Sequence, residues 1–178
     1  DISEIINSLD KKVRTITPFP ILSLIDDPKY HKIAAEVLVA DKFEKSVGGK
    51  NKDFTNKSDK IKIGYFSPDF RNHPMLFLMM DVFKLHDKSK FDIYAFSFGP
   101  EAKGEIYTKV KESFTKFIDV KNMSDQEIIN LSKEMGIDIA IDLCAYTAWN
   151  RSSIFSSRVA PIQINYLGYP GTMGANFI

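Results

Sequence analysis

Ile2, Ile5, Ile6, Leu9 and Val13 recur at helical spacing, which predicts an amphipathic helix at the start of the chain. Pro18 and Pro20 forbid its continuation, so Thr15 to Pro20 reads as a break. A second helix follows, with Asp27 as N-cap, Pro28 in its first turn, and Tyr30, Ile33, Ala34, Val37 and Leu38 along its length, ending near Lys45. From Ser46 to Lys60 the apolar positions thin out, and Gly48, Gly49 and many lysines take their place, the pattern of an exposed linker. The chain therefore divides into a helical segment over 1–45, a linker over 46–59 and a domain over 60–178.

Within that domain, strand-like and helical patterns alternate. Lys60 to Ser67 predicts a strand, Pro74 to His86 a helix and Phe91 to Phe98 a second strand, together one βαβ unit. Gly104 to Phe114 reads as a helix and Phe117 to Val120 as a short strand. Ser124 with Glu127 three residues on is a capping-box start for a helix that Gly136 closes. Asp138 to Leu143 is an apolar strand, Arg151 to Arg158 a helix, and Gln163 to Leu167 a strand before the glycine-bearing stretch Gly168 to Gly174. This alternation predicts an α/β fold with a Rossmann-like, doubly wound parallel sheet preceded by a short helical segment.

Composition narrows the function classes. Apolar residues are 44% and charged residues 26% of the 178, as in ordinary soluble globular proteins. The 24 basic side chains nearly cancel the 23 acidic ones, so no global field draws nucleic acid or an anionic membrane, and neither is expected as a partner. Cys144 is the one cysteine and cannot form an internal disulfide, which favours a reducing, cytoplasmic home. No paired Cys/His spacing suggests a metal, and no cofactor is expected. The start at Asp1 and the stop at Ile178, straight after a glycine-rich stretch, read as those of a fragment.

Ligands of open parallel sheets bind beyond the carboxyl ends of the strands. Three such segments carry chemistry: Ser67-Pro68-Asp69-Phe70-Arg71-Asn72-His73-Pro74, Cys144-Ala145-Tyr146-Thr147, and Gly168-Tyr169-Pro170-Gly171-Thr172. The helix starting near Pro74 aims free N–H groups at the crevice and suits an anionic group there. His73 lies beside that positive end, which favours the neutral imidazole, a form able to accept a proton or hydrogen-bond a sugar hydroxyl. Asp69 is either a general base, an orienting group for His73, or a turn former after Pro68. Asn72 is a helix cap as readily as a ligand contact. Tyr146 and Thr147 are ligand contacts or, for the tyrosine, core with a wet hydroxyl. Gly168, Gly171 and Gly174 either shape turns or let backbone approach a ligand.

Ile63-Gly64-Tyr65-Phe66-Ser67-Pro68-Asp69-Phe70-Arg71-Asn72-His73-Pro74 resembles the first catalytic motif of the O-linked N-acetylglucosamine (O-GlcNAc) transferase family, which includes the SPINDLY proteins of plants. Arg158-Val159-Ala160-Pro161-Ile162-Gln163 and Leu167-Gly168-Tyr169-Pro170-Gly171-Thr172 resemble a second run of that family, in the same order. The resemblance implies the N-terminal half of a GT-B glycosyltransferase, with tetratricopeptide-type helical repeats before it and a second Rossmann-like half after it. It implies inverting, metal-independent transfer of N-acetylglucosamine from UDP-GlcNAc to serine or threonine of an acceptor protein. Asp69 and His73 would sit beside donor sugar and acceptor hydroxyl, with Asn72, Pro74, Gly168, Tyr169 and Pro170 around them, and most contacts to UDP would come from the second half. The chain departs from the family pattern in three places: Arg14 and Thr15 stand upstream of Phe19-Pro20 where animal enzymes carry two histidines, Ala145 replaces a glycine, and Met75-Leu76-Phe77 follow His73-Pro74. Another sugar-nucleotide donor on the same scaffold, carrying fucose or glucose, is the alternative reading; a noncatalytic protein-binding module is a second.

Overall fold

A computed structural model describes residues 1–43 and 58–178. The linker read over 46–59 lies outside the described residues except for Ser58 and Asp59. The chain opens with three helices, α1 (Ile2–Asp10), α2 (Pro18–Leu24) and α3 (Pro28–Phe43). They share a small core of Leu9, Ile21, Ile25 and Ala34. α2 falls where the two prolines were read as a break. Both prolines occupy its first turn, whose N–H groups have no intrahelical partner, so the missing donors cost nothing there.

The α/β domain then alternates β1 (Ile61–Ser67), α4 (Pro74–Leu85), β2 (Phe91–Ser97), α5 (Glu105–Ser113), β3 (Lys116–Asp119), α6 (Asp125–Met135), β4 (Ile139–Asp142), α7 (Ser153–Ser156) and β5 (Ile162–Asn165). All five strands are parallel, in the order β3-β2-β1-β4-β5. Side chains alternate across the sheet. Ile63 and Tyr65 of β1 with Ile93 and Ala95 of β2 face α4 and α5, through Met75, Met79, Phe83 and Val110. Phe66, Phe96 and Ala140 face the opposite layer, built from α3, α6 and α7 through Leu38, Ile128 and Phe155.

The helix ends follow their chemistry. Ser124 and Glu127 form the reciprocal capping box, and Gly136 closes α6 in the left-handed region at φ 66°. α7 is one turn instead of the span Arg151–Arg158. The Arg151 side chain is drawn off to Asp125 and to the carbonyls of Val120 and Met123, while Arg158 turns left-handed at φ 61° and ends the helix.

Candidate active site

The strand order reverses between β1 and β4, and at such a switch point the loops leaving two adjacent strands diverge and open a crevice. β5 lies next to β4, so the three segments singled out above leave neighbouring strands at one edge. The turn after β1 is fixed first. The backbone N–H of Asp69 donates to Ser67 Oγ at 2.9 Å, and the buried Phe70 ring packs 5.3 Å from Phe117 and 5.7 Å from Phe114. Burying that ring stabilises the turn by about 1.5–3 kcal/mol.

Asp69 is nearly buried. Its Oδ1 accepts from Arg71 Nη2 at 2.8 Å, and its Oδ2 stands 3.8 Å from His73 Nδ1. The N-cap of α4 is His73, in extended backbone, with ring Nδ1 accepting from the Met75 N–H at 3.2 Å. Asn72, the residue read as a possible cap, is exposed, and so is Pro74, which starts the helix.

β4 ends in Asp142, buried to 2% exposure, whose Oδ1 accepts from the backbone N–H groups of both Cys144 and Ala145 at 2.9 Å. Burial pushes its carboxyl up to about 6, against the opposing pull of those two donors. The turn that Asp142 braces carries Ala145 at φ 49°, a left-handed conformation that a glycine adopts without strain. Thr147 Oγ1 donates to the Cys144 carbonyl at 2.9 Å and lies 3.0 Å from the Cys144 sulfur. Burial pushes that thiol up to about 12.

Gly168 closes the edge from β5. A Cβ on it would lie 2.0 Å from the Leu143 carbonyl oxygen, so the loop packs directly on the backbone leaving β4. Tyr146 and Tyr169 both have their hydroxyls engaged by backbone. The Tyr146 hydroxyl donates to the Met173 carbonyl at 2.7 Å, the Tyr169 hydroxyl to the Pro18 carbonyl at 3.4 Å, and the two rings pack 5.5 Å apart. Tyr169 thereby ties the sheet edge to α2, and Tyr146 packs behind it. Pro170 is exposed beside them. Between this junction and the helical segment lies a cleft of about 610 Å³, lined by Thr17, Phe19, Lys42, Tyr146, Thr147 and Asn150 among others.

Asp69 and His73 are thus brought together, and the turn bearing Thr147 sits between theirs and Gly168. Sequence reasoning missed Arg71 as the partner of Asp69 and Asp142 as the brace of the second turn. A carboxylate closing an apolar strand was the available signal for Asp142. Arg71 gave none beyond its place two residues after Asp69.

A doubly wound parallel sheet with an acid and a histidine at its switch point places the chain in the Rossmann-like α/β class. The family model for glycosyl transferase family 41 matches residues 36–178, and the chain belongs to that family. It is 35% identical over 119 residues to the probable UDP-N-acetylglucosamine–peptide N-acetylglucosaminyltransferase SEC of Arabidopsis thaliana, covering 67% of this chain and 12% of that one. Over 120 residues it is 32% identical to the UDP-N-acetylglucosamine–peptide N-acetylglucosaminyltransferase of Caenorhabditis elegans, covering 67% and 10%. The chain thus spans about a tenth of the length of these curated relatives. A solved O-GlcNAc transferase mutant from Thermobaculum terrenum shares the fold, with a TM-score of 0.77 at 24% identity over 85% of this chain and 29% of that one.

Proposed function

We propose that this chain forms one wall of the active site of a UDP-GlcNAc-dependent protein O-glycosyltransferase, which transfers N-acetylglucosamine to serine or threonine hydroxyls with inversion. One observation carries the reading: family 41 membership coincides with an Asp69/His73 turn placed at the β1/β4 switch point. The reaction is attack of the acceptor oxygen on the anomeric carbon, loss of the hydroxyl proton to a base, and departure of UDP. The dipole of α4 stabilises negative charge at this edge, and Gly168 lets the loop after β5 pack directly on the turn that carries Thr147. Thr147, which lines the 610 Å³ cleft, faces the acceptor protein, and the exposed Asn72, Pro74 and Pro170 flank the turns after β1 and β5. Tyr146 and Tyr169 contribute by holding the helical segment against this edge.

The transfer is proposed to need no metal. Of the two carboxylates at this edge, Asp69 is paired with Arg71 and Asp142 is engaged by two backbone donors. A buried, unpaired Cys144 fits a reducing cytoplasm.

The test is transfer of radiolabelled N-acetylglucosamine from UDP-GlcNAc to acceptor protein by the gene product that carries this chain, with UDP-glucose and GDP-fucose as competing donors. Labelling from UDP-GlcNAc that the other donors do not suppress, lost about 100-fold or more in Asp69→Asn, is the expected result. Transfer from only one of the competitors would overturn the donor assignment.

A further inference from the structure

The capping bond on α4 fixes which nitrogen of His73 carries a proton. Met75 N–H lies 3.2 Å from His73 Nδ1, and an amide N–H can only donate. Nδ1 therefore offers its lone pair and bears no hydrogen. A neutral imidazole has one N–H, so it is on Nε2, and Nε2 is a donor.

The neighbouring carboxylate agrees with this assignment. In a histidine poised as a general base, the orienting carboxylate accepts from Nδ1–H, which leaves the Nε2 lone pair free to take a proton. Here Asp69 Oδ2 stands 3.8 Å from Nδ1, with two acceptors facing each other and no hydrogen between them, and Asp69 Oδ1 is satisfied by Arg71 instead. The polarity of the Asp–His arrangement is the reverse of a base-activating one. The His73 side chain is 36% exposed, and its Nε2 has no acceptor among the described residues.

We infer that His73 binds an oxygen of the sugar-nucleotide donor through Nε2–H and is not the base that deprotonates the acceptor. The ligand's identity rests on the function proposed above, whereas the tautomer rests on the capping bond alone. The reaction's proton goes to another group, and His73 keeps its hydrogen throughout the transfer.

Long-range proton–nitrogen NMR of the 15N-labelled 178-residue chain decides the tautomer directly, since the three histidines His31, His73 and His86 are assigned by single substitutions. Above pH 7, His73 should show a protonated Nε2 and an unprotonated Nδ1; the opposite pattern overturns the inference. Variants then separate the two nitrogens. Asn at 73 places a capping oxygen near the position of Nδ1, so His73→Asn should melt with wild type, while His73→Gln and His73→Ala melt about 2–4 °C lower. In the transferase assay His73→Gln, whose amide N–H reaches the place of Nε2, should stay within about tenfold of wild type, and His73→Asn should not. A drop of about 10²- to 10⁴-fold in His73→Gln, the loss expected for a missing general base, would overturn the inference. Absence of transfer in the wild-type protein would instead refute the proposed function, and the NMR pattern would still decide the tautomer.

Discussion

At the residue scale, the candidate site depends on a few atoms whose places leave little slack. Gly168 shows this most sharply. Its role follows from the 2.0 Å that would separate an added Cβ from the Leu143 carbonyl oxygen, and a backbone atom in a buried turn has nowhere to retreat. Gly168→Ala is therefore expected to lose about 1–3 kcal/mol of stability, read as a lowered denaturation midpoint with an unchanged denaturant slope. A midpoint equal to wild type would show that the loop can move away, and the packing argument would fail. The residues of this site were unevenly legible. Asp69 and His73 stood out because titratable groups crowd a strand-to-helix turn. The true cap of α4 was hidden because imidazole is an uncommon capping acceptor, although Pro74 at the first helical position already pointed one residue back, to His73 rather than Asn72.

At the element scale, the strands were legible because parallel strands buried on both faces are short apolar runs with polar ends. β1 and β2 fall within one residue of the spans read from sequence. α6 was legible from its capping box and Gly136, whereas α2 was not, since a proline breaks a helix interior but fits a first turn and the pattern around Pro18 and Pro20 does not distinguish the two. The C-terminal end of α4 carries a testable device of its own. His86 caps it, and its Nε2 lies 2.7 Å from the hydroxyl of the buried Tyr65. Burial lowers the pKa of His86 below its ordinary value. The neutral ring is thus the native form, and the unfolded chain takes up a proton first as pH falls. The stability from this contact is complete above the unfolded value of about 6.5 and is lost as pH falls from there through the depressed folded value. Thermal melts of wild type should fall across that window, and His86→Gln, which keeps a polar group near Tyr65 but cannot titrate there, should fall less. Parallel curves for the two proteins would remove His86 from the account.

At the scale of the whole molecule, the three helices and the α/β domain meet where Tyr169 reaches the Pro18 carbonyl and Phe19 packs 6.3 Å from the Tyr169 ring. No helix among the described residues is long and apolar enough to cross a membrane. The charge placed at the switch point sets what the chain can hold by itself. A nucleoside diphosphate carries two to three negative charges and needs cations or several converging N–H donors. Arg71 is the cation of the Asp69 turn, and its charge is already matched by that carboxylate at 2.8 Å. The first turn of α4 adds little: Pro74 has no N–H, that of Met75 is spent on His73 Nδ1, and those of Leu76 and Phe77 on the His73 carbonyl, so only the helix dipole is left. The 178-residue chain alone should therefore bind UDP no more tightly than about 1 mM, since a single helix terminus supplies about 0.3–1 kcal/mol against the roughly 4 kcal/mol that a millimolar constant represents. Isothermal titration with UDP measures this. A micromolar constant would mean that these residues contain a complete diphosphate site, and the expectation that most contacts to UDP come from a second half would have to be abandoned.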